Sequence, residues 1–240
     1  MRRNPRDPVF DLERAYADCH QVALRLAAAV PAGRALDLGA GQGALSLALK
    51  RRGFAVTAAD INIDQFRAAG VDCDRLDLNR SLPYPDRGFD LVLAVEVLEH
   101  LESPRAFLRE VFRVLRPGGL VVLSTPNITS LPSRLLFLVT GCFDLFVPTR
   151  RRLEDPLDAA ADGHITPLPG WLVRYDLRQA GFELVGTRYT MAYLPFLPRA
   201  VLRRFRGPLA GRIGLYAARR PAPSRRPGTG GFHPGIHPQG

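Results

Sequence analysis

The residues best suited to binding a ligand are glycines in a short turn. Residues 36–45 read LDLGAGQGAL and contain Gly39, Gly41 and Gly43. Glycine adopts positive φ and lets the backbone approach a ligand closely, and a helix start behind the turn offers unpaired N–H groups. Gly39, Gly41 and Ala44 also fit the G-x-G-x-x-G/A pattern of dinucleotide-binding proteins. The turn alone therefore predicts a nucleoside site without distinguishing one cofactor from another.

Three carboxylates accompany this turn and narrow the choice of ligand. Asp37 lies two residues before the first glycine. It would repel a pyrophosphate and attract an ammonium or a sulfonium, because opposite charges attract strongly in a partly buried site. S-adenosylmethionine carries both of these cations and no phosphate. Asp60 is placed to accept hydrogen bonds from two ribose hydroxyls, and Asp77 could accept one from an adenine amino group. Three acids in this order favour a nucleoside site over a purely structural turn.

A second group of reactive side chains follows the predicted fourth strand. Glu96 and His100 are four residues apart, so they share a face of a helical turn, and Glu99 lies beside them. Two carboxylates and an imidazole could bind a divalent cation. Alternatively, Glu99 and His100 could cap and orient the segment at the mouth of a substrate site. His100 could also act as a general base, because its unperturbed pKa is near 6.5. We predict His100 as a catalytic candidate and predict no metal site.

Strands that alternate with helices would bring these residues together. The sequence predicts strands at 35–38, 54–59, 74–76, 89–95, 120–124, 182–190 and 212–219. It predicts helices at 11–30, 44–52, 63–69, 104–115 and 171–180. Such alternation indicates a parallel sheet with helices on both faces. Ligands bind such sheets at the carboxyl ends of the strands, which is where the three acids lie.

Several segments in combination resemble the class I S-adenosylmethionine-dependent methyltransferases, in particular small bacterial ones. The matching segments are residues 36–43, 59–60, 76–78, 89–92, 96–100, 115–120 and 125–127. The resemblance implies an α/β fold: a Rossmann-like, doubly wound, seven-stranded sheet, mostly parallel with a final antiparallel strand, in three α/β/α layers. It implies S-adenosyl-L-methionine as cofactor, with contacts from Asp37, Gly39, Gly41, Gly43, Asp60, Asp77 and Val95.

The resemblance also points to residues on the acceptor side. Residues 163–168, GHITPL, resemble the segment before the last helix in these enzymes, where a histidine commonly lies near the acceptor. His164 is therefore the second catalytic candidate, either as a base or as a residue that positions the acceptor. A turn histidine bonded to backbone is the alternative. Some similar enzymes that act on quinone precursors bind magnesium with a trio that matches Glu96, Glu99 and His100.

We expect one methyltransferase domain over residues 1–220. Within it, residues 127–163 would form an insertion or lid over the acceptor site. The apolar stretch 135–139 in this insertion is most simply a lid or packing helix. Residues 221–240 are rich in proline and glycine, carry positive charge and lack periodicity, so they predict a disordered tail.

The positive charge of the chain is concentrated near its C-terminus. The net charge is +10, but residues 1–197 carry +1 and the last 43 residues carry +9. A nearly neutral main body argues against a nucleic-acid partner. Residues 191–206 are apolar and then arginine-rich. They favour a helix that covers the active site, with peripheral membrane contact as the alternative.

Length and cysteine content bound the cellular setting. No apolar run in the 240 residues reaches the roughly 18 needed to span a bilayer, and no apolar signal segment follows the first residues. Three widely spaced cysteines form neither a disulfide framework nor a metal cluster. These features predict a cytoplasmic protein. The sequence does not indicate an oligomeric state.

These observations predict a methyltransferase that acts on an unidentified small-molecule, lipid-linked or glycan-linked acceptor. Transfer to oxygen, nitrogen or carbon stays open, because fold does not fix function. One alternative is an NAD(P)-dependent oxidoreductase, which Asp37 and Asp77 disfavour. The other is a non-catalytic protein that binds S-adenosylmethionine.

Overall fold

Seven strands form one sheet in the computed structural model, which describes residues 18–146, 163–190, 207–209 and 211–223. The strands are β1 (Arg34–Leu38), β2 (Ala55–Asp60), β3 (Asp72–Arg75), β4 (Phe89–Ala94), β5 (Leu115–Pro126), β6 (Glu183–Tyr189) and β7 (Ile213–Arg219). The α-helices are α1 (described from residue 18 to 26), α2 (Ala44–Arg51), α3 (Pro104–Val114), α4 (Leu131–Thr140) and α5 (Gly170–Gln179). Short 3-10 turns occur at Ala27–Ala29, Ile63–Gln65 and Leu98–His100.

The strand order is β3-β2-β1-β4-β5-β7-β6. The first five strands in this order pair in parallel, whereas β7 pairs antiparallel with both β5 and β6. The predicted seven-stranded sheet with a final antiparallel strand is therefore confirmed. The order reverses at β1 and β4, and an open α/β sheet forms its ligand crevice at such a reversal.

Alternation of side chains along the strands gives the sheet two apolar faces. Leu36 and Val92 face a core that α3 and α5 cover, with Phe107, Leu108 and Leu177 among its members. The intervening residues of the same strands face a second core, which α1 and α2 cover. Helices on both faces make the predicted three layers, and both faces of β4 are buried.

Two predicted elements differ from the structure. The helix expected at 63–69 is only the turn Ile63–Gln65, because Phe66 is extended and the amide of Arg67 donates to the carbonyl of Gln42 instead of continuing a helix. The strand predicted at 120–124 is longer and begins at Leu115. The added residues at the start of β5 pair with the chain after β7: the amide of Gly118 donates to the carbonyl of Arg220 at 2.8 Å.

Other predictions fall on residues that the structure does not describe. They are the start of the first helix at 11–17, residues 147–162 of the insertion, the basic segment 191–206 and the tail from 224 onward. Within the described residues, no helix combines the length and the apolar character that crossing a membrane requires.

Candidate active site

The three predicted acids lie at the carboxyl ends of adjacent strands. Asp37 is the fourth residue of β1, Asp60 is the last residue of β2, and Asp77 follows the end of β3 by two residues. The glycine turn leaves β1 at the same edge. The amides of Gly39 and Ala40 both donate to the carbonyl of Ala59, at 2.8 and 3.1 Å, and so fix the turn against the end of β2.

The glycines of the turn are required for different reasons. All three have positive φ. A Cβ at Gly39 would lie 2.5 Å from Cγ2 of Val97, and one at Gly43 would lie 2.6 Å from Cβ of Ala68. These two glycines are therefore required by packing. A Cβ at Gly41 would meet nothing within 4 Å. Gly41 therefore faces open space, which leaves room for a ligand.

Asp60 is held by the backbone that surrounds it. Its side chain is buried, and Oδ2 accepts the amide of Gly41 at 2.7 Å while Oδ1 accepts the amide of Asn62 at 2.8 Å. A carboxylate has about four lone-pair sites, so two hydroxyl donors can still be accommodated. Asp60 is thus fixed in place directly beside the glycine that faces open space.

Asp37 is buried and has one neutral partner. Its Oδ2 accepts the hydroxyl of Ser46 at 2.6 Å. Burial raises the pKa of the Asp37 carboxyl to about 6, although the bond from Ser46 acts in the opposite direction. A cation beside Asp37 would restore its ionised form. Sequence reasoning missed Ser46, although a lone serine on the buried face of α2 was the available signal.

The two remaining cofactor candidates are held differently. Asp77 is partly exposed and accepts the amide of Asn79 at 3.0 Å and Nε of Arg80 at 3.3 Å. The bond from Asn79 is the main reason that the pKa of Asp77 is lowered. Val95 is buried directly after β4, at the same edge of the sheet.

Glu96, which follows Val95 at the same edge of the sheet, has an unusual backbone conformation. Its φ is 57°, a value rare for a residue with a side chain. The amide of Glu96 donates to Oγ of Ser124 at 2.9 Å, and that hydroxyl donates back to Oε1 of Glu96 at 2.5 Å. Sequence reasoning did not identify Ser124. Burial raises the pKa of Glu96.

Glu99 lacks the support that the other acids have. Its side chain is fully buried, and neither carboxylate oxygen makes a hydrogen bond of good geometry with the described residues. Burial and the nearby Glu96 both raise the pKa of Glu99 well above its usual range. The hydroxyl of Thr125 lies close enough to act in the opposite direction, but burial outweighs it, so a ligand or a proton at this carboxyl would stabilise the site.

The two catalytic candidates, His100 and His164, lie together. The rings of His100 and His164 have centroids 4.8 Å apart and are nearly perpendicular. Nδ1 of His100 lies 3.1 Å from the carbonyl oxygen of Gly163. The carbonyl of Glu99 accepts the amide of Ile165 at 2.8 Å, so residues 163–165 lie along residues 99–100. Loop contacts between distant segments thus assemble the pair.

A metal-ligating arrangement exists, but not the one considered from the sequence. Ligand atoms of Glu99, His100 and His164 all lie within 4.8 Å of one another. His164 takes the place of Glu96 in this group, because Glu96 is held by Ser124. The expectation that the site works without a metal stays a prediction.

Comparisons with known proteins agree with this geometry. The sequence profile of a family described as "Methyltransferase domain" matches residues 11–187. A demethylmenaquinone methyltransferase of Tropheryma whipplei is 31% identical over 184 residues, which cover 72% of this chain and 74% of that protein. A ubiquinone biosynthesis O-methyltransferase of Psychrobacter arcticus is 35% identical over 119 residues, which cover 45% of this chain and only 46% of that protein.

Solved structures share the fold. A S-adenosylmethionine-dependent methyltransferase from Archaeoglobus fulgidus superposes with a TM-score of 0.60 at 22% identity, covering 89% of this chain and all of that one. The Burkholderia thailandensis 1,6-didemethyltoxoflavin-N1-methyltransferase, solved with S-adenosylhomocysteine, gives a TM-score of 0.54 at 17% identity, covering 88% of this chain and 81% of that one. These matches confirm the predicted Rossmann-like fold, and they do not favour the oxidoreductase alternative.

Proposed function

The chain belongs to the class I S-adenosylmethionine-dependent methyltransferase family, and on that premise we propose that it methylates a hydroxyl group of a small molecule. The observation that carries the proposal is the pair His100 and His164, 4.8 Å apart beside the buried Glu99. A hydroxyl is a weak nucleophile until a base removes its proton, so a hydroxyl acceptor requires such a group.

The glycine turn and its acids form the cofactor half of the site. When bound, S-adenosylmethionine supplies an activated methyl group on a sulfonium. Asp60, already held by two amides, accepts the ribose hydroxyls, and Asp37 pairs with the ammonium group. Gly41 leaves the space that the nucleoside needs. Asp77, Val95 and the packing glycines Gly39 and Gly43 complete this half.

The histidines and Glu99 form the acceptor half. We propose that a neutral His100 ring carries its proton on Nδ1 and donates it to the carbonyl of Gly163, because that oxygen can only accept a hydrogen bond. Nε2 then carries the lone pair that takes the proton of the acceptor hydroxyl. S-adenosylmethionine, held by Asp37 and Asp60, would supply the methyl group to the deprotonated acceptor oxygen and would leave as the neutral thioether. His164 packs against His100 and orients it, or takes the proton itself.

The similar proteins suggest the class of acceptor. Ubiquinone biosynthesis O-methyltransferases and a demethylmenaquinone methyltransferase are named for quinone-related acceptors. A phenol or catechol is therefore the acceptor class to test first. Residues 127–163 as a lid and a cytoplasmic location belong to this proposal as well. Residues 191–206 are proposed to cover the active site, with membrane contact as the alternative. Lipid-linked and glycan-linked molecules are the alternative acceptors.

Methyl transfer is tested with labelled S-adenosylmethionine and simple catechols. The purified full chain is incubated with methyl-labelled S-adenosylmethionine and either catechol or caffeic acid. We expect label in the phenolic product with wild type and none with enzyme omitted. Label in an amine from a parallel amine panel, with none in any phenol, would contradict the hydroxyl assignment. Binding of S-adenosylmethionine without transfer to either panel would favour the non-catalytic alternative.

A further inference from the structure

Helix α4 has its polarity reversed relative to an ordinary surface helix. Its one fully buried side chain is Ser133, whose hydroxyl accepts the amide of Asp144 at 3.0 Å. By contrast Leu135, Leu138 and Val139 are 54%, 80% and 86% exposed. A helix of a globular protein normally turns its apolar stripe toward the core. Burial of apolar surface within the chain therefore does not explain why these side chains face outward.

The exposed apolar residues lie on one continuous stripe. Leu131, Leu135, Leu138 and Val139 follow the spacing i, i+4, i+7 and i+8, and the first of them is also more than half exposed. Leu209, which is 61% exposed, lies beside the start of the helix, because its carbonyl accepts the amide of Leu131 at 2.7 Å. We call these five side chains the α4 surface. A contiguous apolar surface of this kind marks an interaction site.

Residues that position the helix are polar and already satisfied. The hydroxyl of Ser130 caps α4 by accepting the backbone amide of Ser133. The side-chain nitrogen Nδ2 of Asn127 donates to the carbonyls of Pro208 and Gly211. These bonds hold α4 and residues 207–211 together. The outward direction of the apolar stripe is therefore fixed by specific bonds.

Charge around the α4 surface is positive. No acid occurs from Leu131 to Phe143, and the next acid, Asp144, is paired with Arg212 at 2.9 Å. Arg134 is exposed on the helix itself. Four further arginines, at positions 199, 203, 204 and 206, come shortly before Leu209 in the sequence, and no acid lies among them.

We propose that the α4 surface docks on an anionic lipid bilayer. Apolar side chains enter the acyl boundary while arginines bind anionic headgroups, which is the combination that interfacial helices use. Two copies of this face would bring like charges together, which disfavours self-association. Helix α4 has 10 residues and is about 15 Å long, so it lies in the interface and does not cross the bilayer.

This inference goes beyond the proposed methyl transfer, because vesicle binding is measured without turnover. Helix α4 follows the carboxyl end of β5, so it lies at the sheet edge that carries the histidines. Only where methyl transfer also holds does docking imply more: an apolar acceptor could then enter the site from the membrane.

The test is co-sedimentation of the full chain with vesicles. One set contains phosphatidylcholine alone, and the other contains phosphatidylcholine with phosphatidylglycerol. The test variant is Leu138→Ser/Val139→Ser. Val185→Ser is the matched control, because Val185 is 57% exposed on β6, away from α4. We expect binding to the anionic vesicles that falls with salt, and a loss of about tenfold or more in the double variant alone.

Three results would overturn the proposal. They are no binding to anionic vesicles at low salt, equal loss in Val185→Ser, and unchanged binding in the double variant. Circular dichroism and melting temperature establish that each variant is folded. Analytical ultracentrifugation without lipid tests whether the α4 surface instead binds a second copy of the chain. A concentration-dependent dimer that the double variant abolishes would show self-association and contradict docking on a bilayer.

Discussion

The two halves of the sheet edge treat their carboxylates in opposite ways. In the cofactor half, Asp60 accepts two backbone amides and Asp37 accepts a serine hydroxyl. In the acceptor half, Glu99 is fully buried without a hydrogen bond of good geometry among the described residues. The cofactor half therefore holds both carboxylates by hydrogen bonds before any ligand binds, although burial still raises the pKa of Asp37. In the acceptor half, burial outweighs the nearby hydroxyl of Thr125, so the protonation of Glu99 depends on what joins the site.

The difference also follows from how each half is built. Most of the cofactor half comes from residues 37–60, which are consecutive elements along the chain, and Asp77 and Val95 are added at the ends of β3 and β4. The acceptor half joins residues 96–100 to residues 163–166 through loop hydrogen bonds. Short-range assembly gives fixed geometry, whereas loop contacts over a long sequence separation leave more room for adjustment. Substitutions should accordingly change cofactor affinity in one half and turnover in the other.

The largest expected effect is on turnover. We predict that His100→Ala lowers kcat by about 100- to 10,000-fold, because a positioned general base contributes that much to proton transfer. The dissociation constant for S-adenosylmethionine should stay within about twofold, because the imidazole belongs to the acceptor half. His164→Ala should lower kcat in the same direction. A large loss of cofactor affinity with normal kcat at saturation would place His100 in the other half.

Metal participation is checked in the same assay. We predict that excess EDTA leaves the wild-type rate unchanged. Lost activity that magnesium restores would instead assign Glu99, His100 and His164 to a cation site.

The next effect is steric. Gly41→Val should weaken cofactor binding by about 100-fold, because a β-branched side chain fills the open space beside Asp60. Gly118→Val is the matched control, since Gly118 also has positive φ and nothing within 4 Å of its would-be Cβ. Both positions have positive φ, 53° at Gly41 and 82° at Gly118, so both variants carry backbone strain, and their melting temperatures show how much stability each one loses. Equal cofactor affinity in the two folded variants would show that the turn is only structural.

A smaller effect concerns pH and the cofactor half. Because burial raises the pKa of Asp37 to about 6, its carboxyl takes up a proton as pH falls through 6. Only the ionised form pairs with the cofactor's ammonium, so the dissociation constant should be flat above pH 7 and rise about tenfold per unit well below pH 6. Isothermal titration calorimetry from pH 5 to 8 measures this. Asp37→Asn should bind weakly with no such slope; an unchanged slope would exclude Asp37 as its source.

The smallest effect is on stability and concerns the acceptor half. The pKa of Glu99 is raised in the fold, so the stability it contributes is present at acidic pH and is lost as pH rises through the folded pKa. Glutamine resembles the protonated form. Glu99→Gln should therefore melt like wild type at low pH and higher at pH 8, where each kcal/mol is about 2–4 °C.

The pKa of Glu110 is shifted in the opposite direction to that of Glu99, so Glu110 serves as the control. The bond from Arg113 lowers the pKa of Glu110, so its stabilising contribution is present at neutral pH and is lost as pH falls. Glu110→Gln should melt lower than wild type at pH 8. A Glu99→Gln protein that also melts lower at pH 8 would mean that Glu99 is ionised and well paired.

Sequence reasoning succeeded where the determinants are local. The glycine turn with Asp37 and Asp60 lies within one strand-turn-helix-strand unit, so spacing alone predicted its placement. One partner inside this unit was missed, Ser46 beside Asp37, although its place on the buried face of α2 was an available signal. Ser124 beside Glu96 could not be predicted from periodicity, because a hydrogen bond between separate elements leaves no repeat in the sequence.

Two further differences have tertiary causes. Periodicity favoured a helix at 63–69, but the bond from Arg67 to Gln42 directs the chain along the glycine turn instead. The apolar stretch at 135–139 lies in a helix, as predicted, and its role as a lid stays a prediction, but Leu138 and Val139 do not pack into a core. The cap at Ser130 and the burial of Ser133 turn its side chains outward, and apolar composition alone does not specify that direction.

The central claim is that the carboxyl edge binds the nucleoside of S-adenosylmethionine through Asp60. Calorimetric titration with S-adenosylmethionine and with NADH, on wild type, Asp60→Ala and Asp90→Ala, tests it most directly. Asp90 is as buried as Asp60 and accepts the amide of Arg34 at 2.6 Å, but it lies at the opposite edge of the sheet. We expect wild type and Asp90→Ala to bind S-adenosylmethionine alike, and Asp60→Ala to bind about 10- to 100-fold more weakly. Tight binding of NADH without S-adenosylmethionine, or equal affinity in Asp60→Ala and wild type, would contradict the claim.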